Sequence, residues 1–230
     1  MKLRCYCCEE PGTTTEHVPP QCLFPEEKDL PTGVNLRRNL ITVPSCRAHN
    51  LSKSGDDEYL MYLLTMNLPA EKIAGYHFGT KVLRAINRRP ALINQVLAKT
   101  SPVRIYDAGS NETFETAAVE VDWPRLDRVL GQVALGLHHH HVGRPWSGPF
   151  RVHSEFLRFL HDAKAPEWNT TLQQLNEYAN ALFNEAPFHG ENQDVFKYQV
   201  VFPDAQVPTA MRMHFYGGVK VLVLFGVIGG

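Results

Sequence analysis

Two short stretches near the start of the chain decide its fold: TTEHVPP at residues 14–20 and SCRAHN at residues 45–50. The first places an acid directly before a histidine, where a β-branched run is stopped by two prolines. The second holds a cysteine and a histidine with two residues between them, followed at once by an asparagine. A third stretch, CYCC at residues 5–8, adds thiols upstream. Residue types that bind metals therefore concentrate in this segment, which we take as the organising module.

The cysteines and His49 form ligand pairs of the kind that zinc prefers. Structural zinc takes four sulfur or nitrogen ligands in a tetrahedron, commonly from two closely spaced pairs. Cys5 with Cys8, and Cys46 with His49, are two such pairs. We therefore predict a structural Zn²⁺ site, which in isolated zinc-finger peptides is worth roughly 10–16 kcal/mol.

The five cysteines are an odd number, and three of them lie within four residues. This usage favours metal binding in a reducing compartment over a disulfide framework. Cys7 and Cys22 are expected to be bystanders that behave as small buried apolar residues. The sequence shows no apolar run of membrane-spanning length and no apolar signal segment at its start, so we predict a soluble, cytoplasmic protein with no membrane partner.

Glu16, His17 and Asn50 are the residue types that metal-assisted phosphodiester hydrolysis needs. That reaction uses a base to activate water and a hard cation to stabilise charge on the phosphate and the leaving oxygen. An imidazole suits the base, while carboxylate and amide oxygens suit Mg²⁺ or Mn²⁺. Because side chains alternate along a strand, Glu16 and His17 can reach one phosphate only if the strand ends or twists there. Taken alone, His17 is better explained as a hydrogen-bonded surface histidine.

Taken together, these stretches resemble the HNH endonuclease family, the ββα-metal nucleases in their zinc-ribbon form. The resemblance covers residues 1–55. It implies that His17 is the general base and that Glu16 and Asn50 bind a catalytic Mg²⁺ or Mn²⁺. It also implies that Asn39, before the second strand, orients the histidine. The family more often has aspartate in place of Glu16 and cysteine in place of His49.

Candidate phosphate contacts are few. The resemblance places Lys53 or Arg47 near the phosphate. Residues 76–104 contain no acid, and on a helix over 79–88 the side chains of Lys81, Arg84 and Arg88 share one side. A solvated helix face explains this pattern equally well. Because the net charge is only −1, any nucleic-acid surface must be local.

The remaining sequence predicts an α+β chain, with the zinc-stapled ββα module at residues 1–67 followed by an extension of helices and an antiparallel β-meander at 68–230. The two parts can also pack as one unit. The expected elements are strands over 13–18 and 40–43, a helix from Ser54, a hairpin of 103–106 with 114–121, a helix capped by Asp122, a helix over 169–183, and strands over 195–202, 211–216 and 220–227. The four histidines at 138–141 are expected to be a surface cluster at a helix end, because consecutive helical residues point in different directions.

The function expected from this resemblance is endonucleolytic cleavage of DNA, with RNA left open, in bacterial or phage restriction, defence or mobile-element biology. A homodimer or a partner subunit that supplies target recognition would suit the weak overall charge. The alternative is a non-catalytic zinc-stapled module that binds nucleic acid or protein. The near-neutral charge favours this alternative, whereas the full set of Glu16, His17 and Asn50 argues against it.

Overall fold

The computed structural model describes residues 3–51, 53–67, 70–97, 99–107, 111–160, 162–202 and 209–226. The chain is α+β, with helices and antiparallel strands. Its helices are α1 (Arg47–Leu51), α2 (Ser54–Thr65), α3 (Lys72–His77), α4 (Leu83–Arg88), α5 (Pro90–Leu97), α6 (Trp123–Val142) and α7 (Ala165–Leu182). Its strands are β1 (Thr14–His17), β2 (Thr42–Ser45), β3 (Thr100–Asp107), β4 (Glu112–Val119), β5 (Phe150–Ser154), β6 (Phe196–Val201), β7 (Ala210–Phe215) and β8 (Val219–Phe225).

The N-terminal segment contains an antiparallel pair followed by a short helix. Strand β1 pairs with β2 so that His17 lies opposite Thr42. The second strand begins two residues later than predicted and continues through Pro44. A proline is tolerated at a strand edge because only its carbonyl has to be satisfied, and here the backbone N–H of Tyr6 donates to the Pro44 carbonyl at 2.8 Å.

Helix α6 runs through the core and follows the expected pattern closely. The Asp122 side chain accepts a hydrogen bond from the backbone N–H of Arg125 at 3.1 Å, which confirms the predicted N-cap. The helix ends at Gly143, whose left-handed φ of 74° is typical of a helix terminus. Near the middle, Gly136 packs on Val18, and a Cβ atom built on the glycine would lie 2.6 Å from Cγ2 of the valine. The glycine therefore lets α6 approach the end of β1 directly.

The C-terminal strands form the predicted meander, with one addition. The four-stranded antiparallel sheet has the order β5-β8-β7-β6, and β5 is an edge strand that the sequence analysis did not identify. Strands β3 and β4 form a separate two-stranded sheet. The helix expected at 79–88 begins earlier, at α3, and passes into α4 through a π-helical segment, Phe78–Val82.

The prediction of a surface histidine cluster is wrong for half of its members. His138 and His139 are only 1% and 9% exposed, while His140 is exposed. The His138 ring lies against Trp146 and Phe225. A neutral imidazole can be buried much as an aromatic ring can, and the sequence run does not reveal that the sheet covers this end of α6.

The larger of two hydrophobic clusters among the described residues joins the first 67 residues to the rest of the chain. It includes Cys5, Val18 and Leu60 together with Leu130 and Phe215. The buried hydroxyl of Tyr216 donates to the Leu23 carbonyl at 2.6 Å. Within the described ranges, every helix is too short or too polar to cross a membrane.

Candidate metal centre and the adjoining strand

The first ligand pair lies on a tight turn that is held in place by backbone hydrogen bonds. The backbone N–H of Cys5 donates to the Glu10 carbonyl at 2.8 Å, and the N–H of Cys7 points at the Cys5 sulfur at 3.5 Å. Together with the contact from Tyr6 to Pro44, these bonds fix the turn on β2. The second pair lies where β2 passes into α1, so both pairs lie at the same end of β2.

The four expected zinc ligands converge. Nδ1 of His49 lies 3.6, 3.5 and 3.3 Å from the Sγ atoms of Cys5, Cys8 and Cys46. The sulfurs of Cys8 and Cys46 are 4.0 Å apart. Tetrahedral bonds of about 2.3 Å to sulfur and about 2.0 Å to nitrogen place such atoms about 3.5 to 3.8 Å apart. This group could therefore hold a metal ion such as zinc, and it is the only group of its kind among the described residues.

The surroundings of Cys46 favour its metal-binding form. The backbone N–H of His49 beside its sulfur holds the pKa of Cys46 below the usual value, which favours the thiolate. Burial raises the pKa of Cys8 to about 11, so this thiol would lose its proton on binding the ion. Cys7 and Cys22 lie outside the group, are half-buried, and have pKa values raised to about 12 by burial.

Glu16 and His17 point to opposite sides of β1. Glu16 faces the interior and is only 7% exposed, whereas His17 is half-buried on the other side. The Glu16 carboxylate is 3.0 Å from Nζ of Lys53, which is itself 4% exposed. The acid therefore lies in a buried ion pair, and Lys53 does not present its charge at the surface, where a phosphate contact was expected.

Asn50, in helix α1, lies against β1, the strand that carries the candidate base. Its Nδ2 donates to the Thr15 carbonyl at 3.3 Å and so ties α1 to β1. Thr15 and His17 are two residues apart and share one face of the strand. Asn39 adopts a left-handed φ of 53° in a small cleft that Val18 also lines. Within the described parts of the chain, no hydrogen bond reaches the ring of His17 from Asn39 or from any other residue.

Two of the three basic side chains predicted to share a helix face are bound to groups within the protein. Nζ of Lys81 donates to the Cys22 carbonyl at 3.1 Å. Arg84 forms a bidentate pair with Asp29 at 2.8 and 2.5 Å and also reaches Glu26 at 3.3 Å. Arg88 and Arg47 are exposed. Lys81 and Arg84 therefore hold the acidic loop that connects β1 to β2, a contact that local sequence does not reveal.

Asp57, in the first turn of α2, is a neighbour of this region that was not among the predicted site residues. Its Oδ1 lies 3.8 Å from Nζ of Lys53 and accepts no hydrogen bond from the described residues. Burial raises the pKa of Asp57 to about 7. The i,i+4 spacing from Lys53 was the available signal for this contact.

Comparisons with protein-family models, with curated proteins and with solved structures give no match.

Proposed function

We propose that this protein is a metal-dependent endonuclease of the HNH type that hydrolyses DNA phosphodiester bonds. The observation that carries the proposal is the contact of Asn50 with the Thr15 carbonyl, 3.3 Å long. It joins the helix that follows the zinc ligands to the strand that carries His17. A candidate metal centre, an amide ligand and a candidate base are thereby linked within one strand–strand–helix unit.

In this proposal His17 accepts a proton from the attacking water. Its ring is half-buried and forms no hydrogen bond with the described residues, so both nitrogens remain available to water and substrate. Asn50 and Glu16 would hold Mg²⁺ or Mn²⁺, which supplies charge stabilisation at the phosphate. Asn39 would position His17 through the loop.

The zinc site has a structural role in the proposal. Cys46 and His49 flank the start of α1, and Asn50 comes directly after the fourth ligand. Fixing these residues against the turn that holds Cys5 and Cys8 fixes the amide of Asn50 as well. Zn²⁺ binding would therefore set the position of Asn50 on β1.

DNA is the proposed partner, with Arg47 and Arg88 as the exposed cations among the predicted phosphate contacts. Because Lys53, Lys81 and Arg84 are engaged within the protein, recognition of a target would rest on few charges. A homodimer or a partner subunit in a restriction, defence or mobile-element system would supply the rest.

A second candidate function is a non-catalytic zinc-stapled module that binds nucleic acid or protein. The buried pair of Glu16 with Lys53, 3.0 Å apart, favours it, because an acid engaged in this way is not free to bind a catalytic ion.

Cleavage of supercoiled plasmid tests the two candidates against each other. Wild type, His17→Ala and His140→Ala are compared with MgCl₂ or MnCl₂, with and without EDTA. The His140 variant is the matched control because that histidine is exposed and distant in sequence. Metal-dependent nicking that is lost only in His17→Ala supports the nuclease. Absence of nicking under every metal, with one zinc bound per chain, supports the binding module.

A further inference from the structure

The ion pair of Glu16 with Lys53 belongs to a larger group of buried polar side chains beneath β1. Nζ of Lys53 lies 3.0 Å from Glu16 and 3.8 Å from Asp57. The hydroxyl of Tyr6 is also buried and finds no nitrogen or oxygen partner among the described residues. Burial, followed by the charges of Cys7 and Glu16, raises the pKa of Tyr6 far above its usual value. One ammonium group therefore serves two carboxylates in an enclosed space.

A buried carboxylate requires a cation, and in this structure Lys53 supplies it. Removing one partner of a buried pair leaves an uncompensated charge, which costs several kcal/mol. A divalent ion bound to Glu16 would satisfy the same carboxylate in place of Lys53. The ammonium group and the divalent ion repel each other and need the same carboxylate. Binding of the divalent ion to Glu16 therefore competes with the ion pair of Glu16 and Lys53.

Asp57 is placed to receive the ammonium group. It lies one helical turn after Lys53, and its Oδ1 accepts no hydrogen bond from the described residues. A move of Nζ by about 1 Å would convert the present distance of 3.8 Å into a hydrogen bond. The lysine therefore has a second partner within reach and need not be left unpaired when it releases Glu16.

We propose that Lys53 is an internal competitor of the catalytic ion: its ammonium group holds Glu16 in the metal-free protein and transfers to Asp57 when a divalent cation binds. This inference rests on the proposed function, since it takes Glu16 as a ligand of that cation. Lys53 is thus a positioning residue that sets the metal affinity of the site. The apparent affinity is the intrinsic affinity multiplied by the fraction of molecules in which Glu16 is free, so a free fraction of roughly one in ten weakens binding roughly tenfold.

Calorimetric titration of the full-length, zinc-loaded protein with MnCl₂ tests the proposal without relying on cleavage. Lys53→Met removes the ammonium group but keeps an apolar side chain, and it is expected to tighten Mn²⁺ binding roughly tenfold. Lys99→Met, at an exposed lysine paired with Glu120, is the matched control and should leave the affinity unchanged. A folded Lys53→Met protein with unchanged or weaker Mn²⁺ binding overturns the proposal.

Asp57→Asn provides a second test that keeps Lys53 in place. The displaced ammonium would lose its receiving carboxylate, so Mn²⁺ binding should weaken severalfold. If Lys53→Met does not fold, Asp57→Asn alone tests the proposal. An Mn²⁺ affinity equal to that of wild type would then reject the transfer of the ammonium group to Asp57. Failure of the proposed function gives a different result: wild type binds no Mn²⁺, or Glu16→Gln binds it as tightly as wild type does.

Discussion

His138 makes the stability of this protein dependent on pH. Burial lowers its pKa from an ordinary 6.5 to about 4. The folded state therefore binds fewer protons than the unfolded state between these values, and stability falls as the pH drops from 6.5 towards 4. Since one pKa unit corresponds to about 1.4 kcal/mol, the full loss attributable to this one histidine is about 3 kcal/mol.

Urea unfolding of wild type and His138→Phe at several values between pH 7.5 and pH 4.5 measures this loss. Phenylalanine keeps an aromatic ring against Trp146 and Phe225 but cannot take up a proton. The variant should lose less free energy of unfolding on acidification than wild type does, with the gap widening to about 2 kcal/mol at pH 5. Protonation of the candidate metal ligands affects both proteins equally and cancels in the difference. Equal pH dependence of the two proteins would refute the reasoning, because it would mean that His138 is not held neutral by burial.

Two further substitutions test the metal centre and the core. Cys46→Ser removes one of the four converging ligands, so zinc content should fall well below one per chain and the melting temperature should drop; unchanged values would reject the ligand set. In the wild type, the guanidinium of Arg212 donates two hydrogen bonds to the buried carboxylate of Glu155, at 2.9 and 2.5 Å. Arg212→Met removes this partner. We expect a loss of roughly 3–5 kcal/mol in the free energy of unfolding. The double variant Arg212→Met with Glu155→Leu should recover part of that loss, and a double variant as unstable as the single one would contradict this account.

Local pattern was sufficient to predict the converging cysteines and histidine and the main secondary-structure elements. The short spacing within each ligand pair predicted a group that the fold then brings together. The apolar repeat after Asp122 predicted α6 with its cap, and the strand-forming C-terminal segments predicted the meander. In each case the signal lies within a few residues or one helical period, where sequence spacing translates directly into geometry.

The burial and the ion pairs that the sequence did not predict depend on contacts between residues far apart in the chain. His138 is buried because a sheet from the last third of the chain covers the end of α6. Arg84 is engaged by Asp29, a residue more than fifty positions away in sequence. The pairing of Lys53 with Glu16 depends on how the start of α2 lies under β1. None of these contacts has a local signature, so the sequence could identify candidate groups without showing which of them are free.

The close approach of α6 to β1 has a consequence for how this protein can be dissected. Residues 1–67 alone would lose the Gly136 surface on which Val18 packs and the Tyr216 hydroxyl that pairs with the Leu23 carbonyl. An excised fragment would expose apolar surface and an unpaired backbone group even with all four candidate metal ligands present. The N-terminal segment therefore depends on the rest of the chain for its packing. Grafting or truncation experiments that isolate it would measure a segment whose structure differs from that in the full chain.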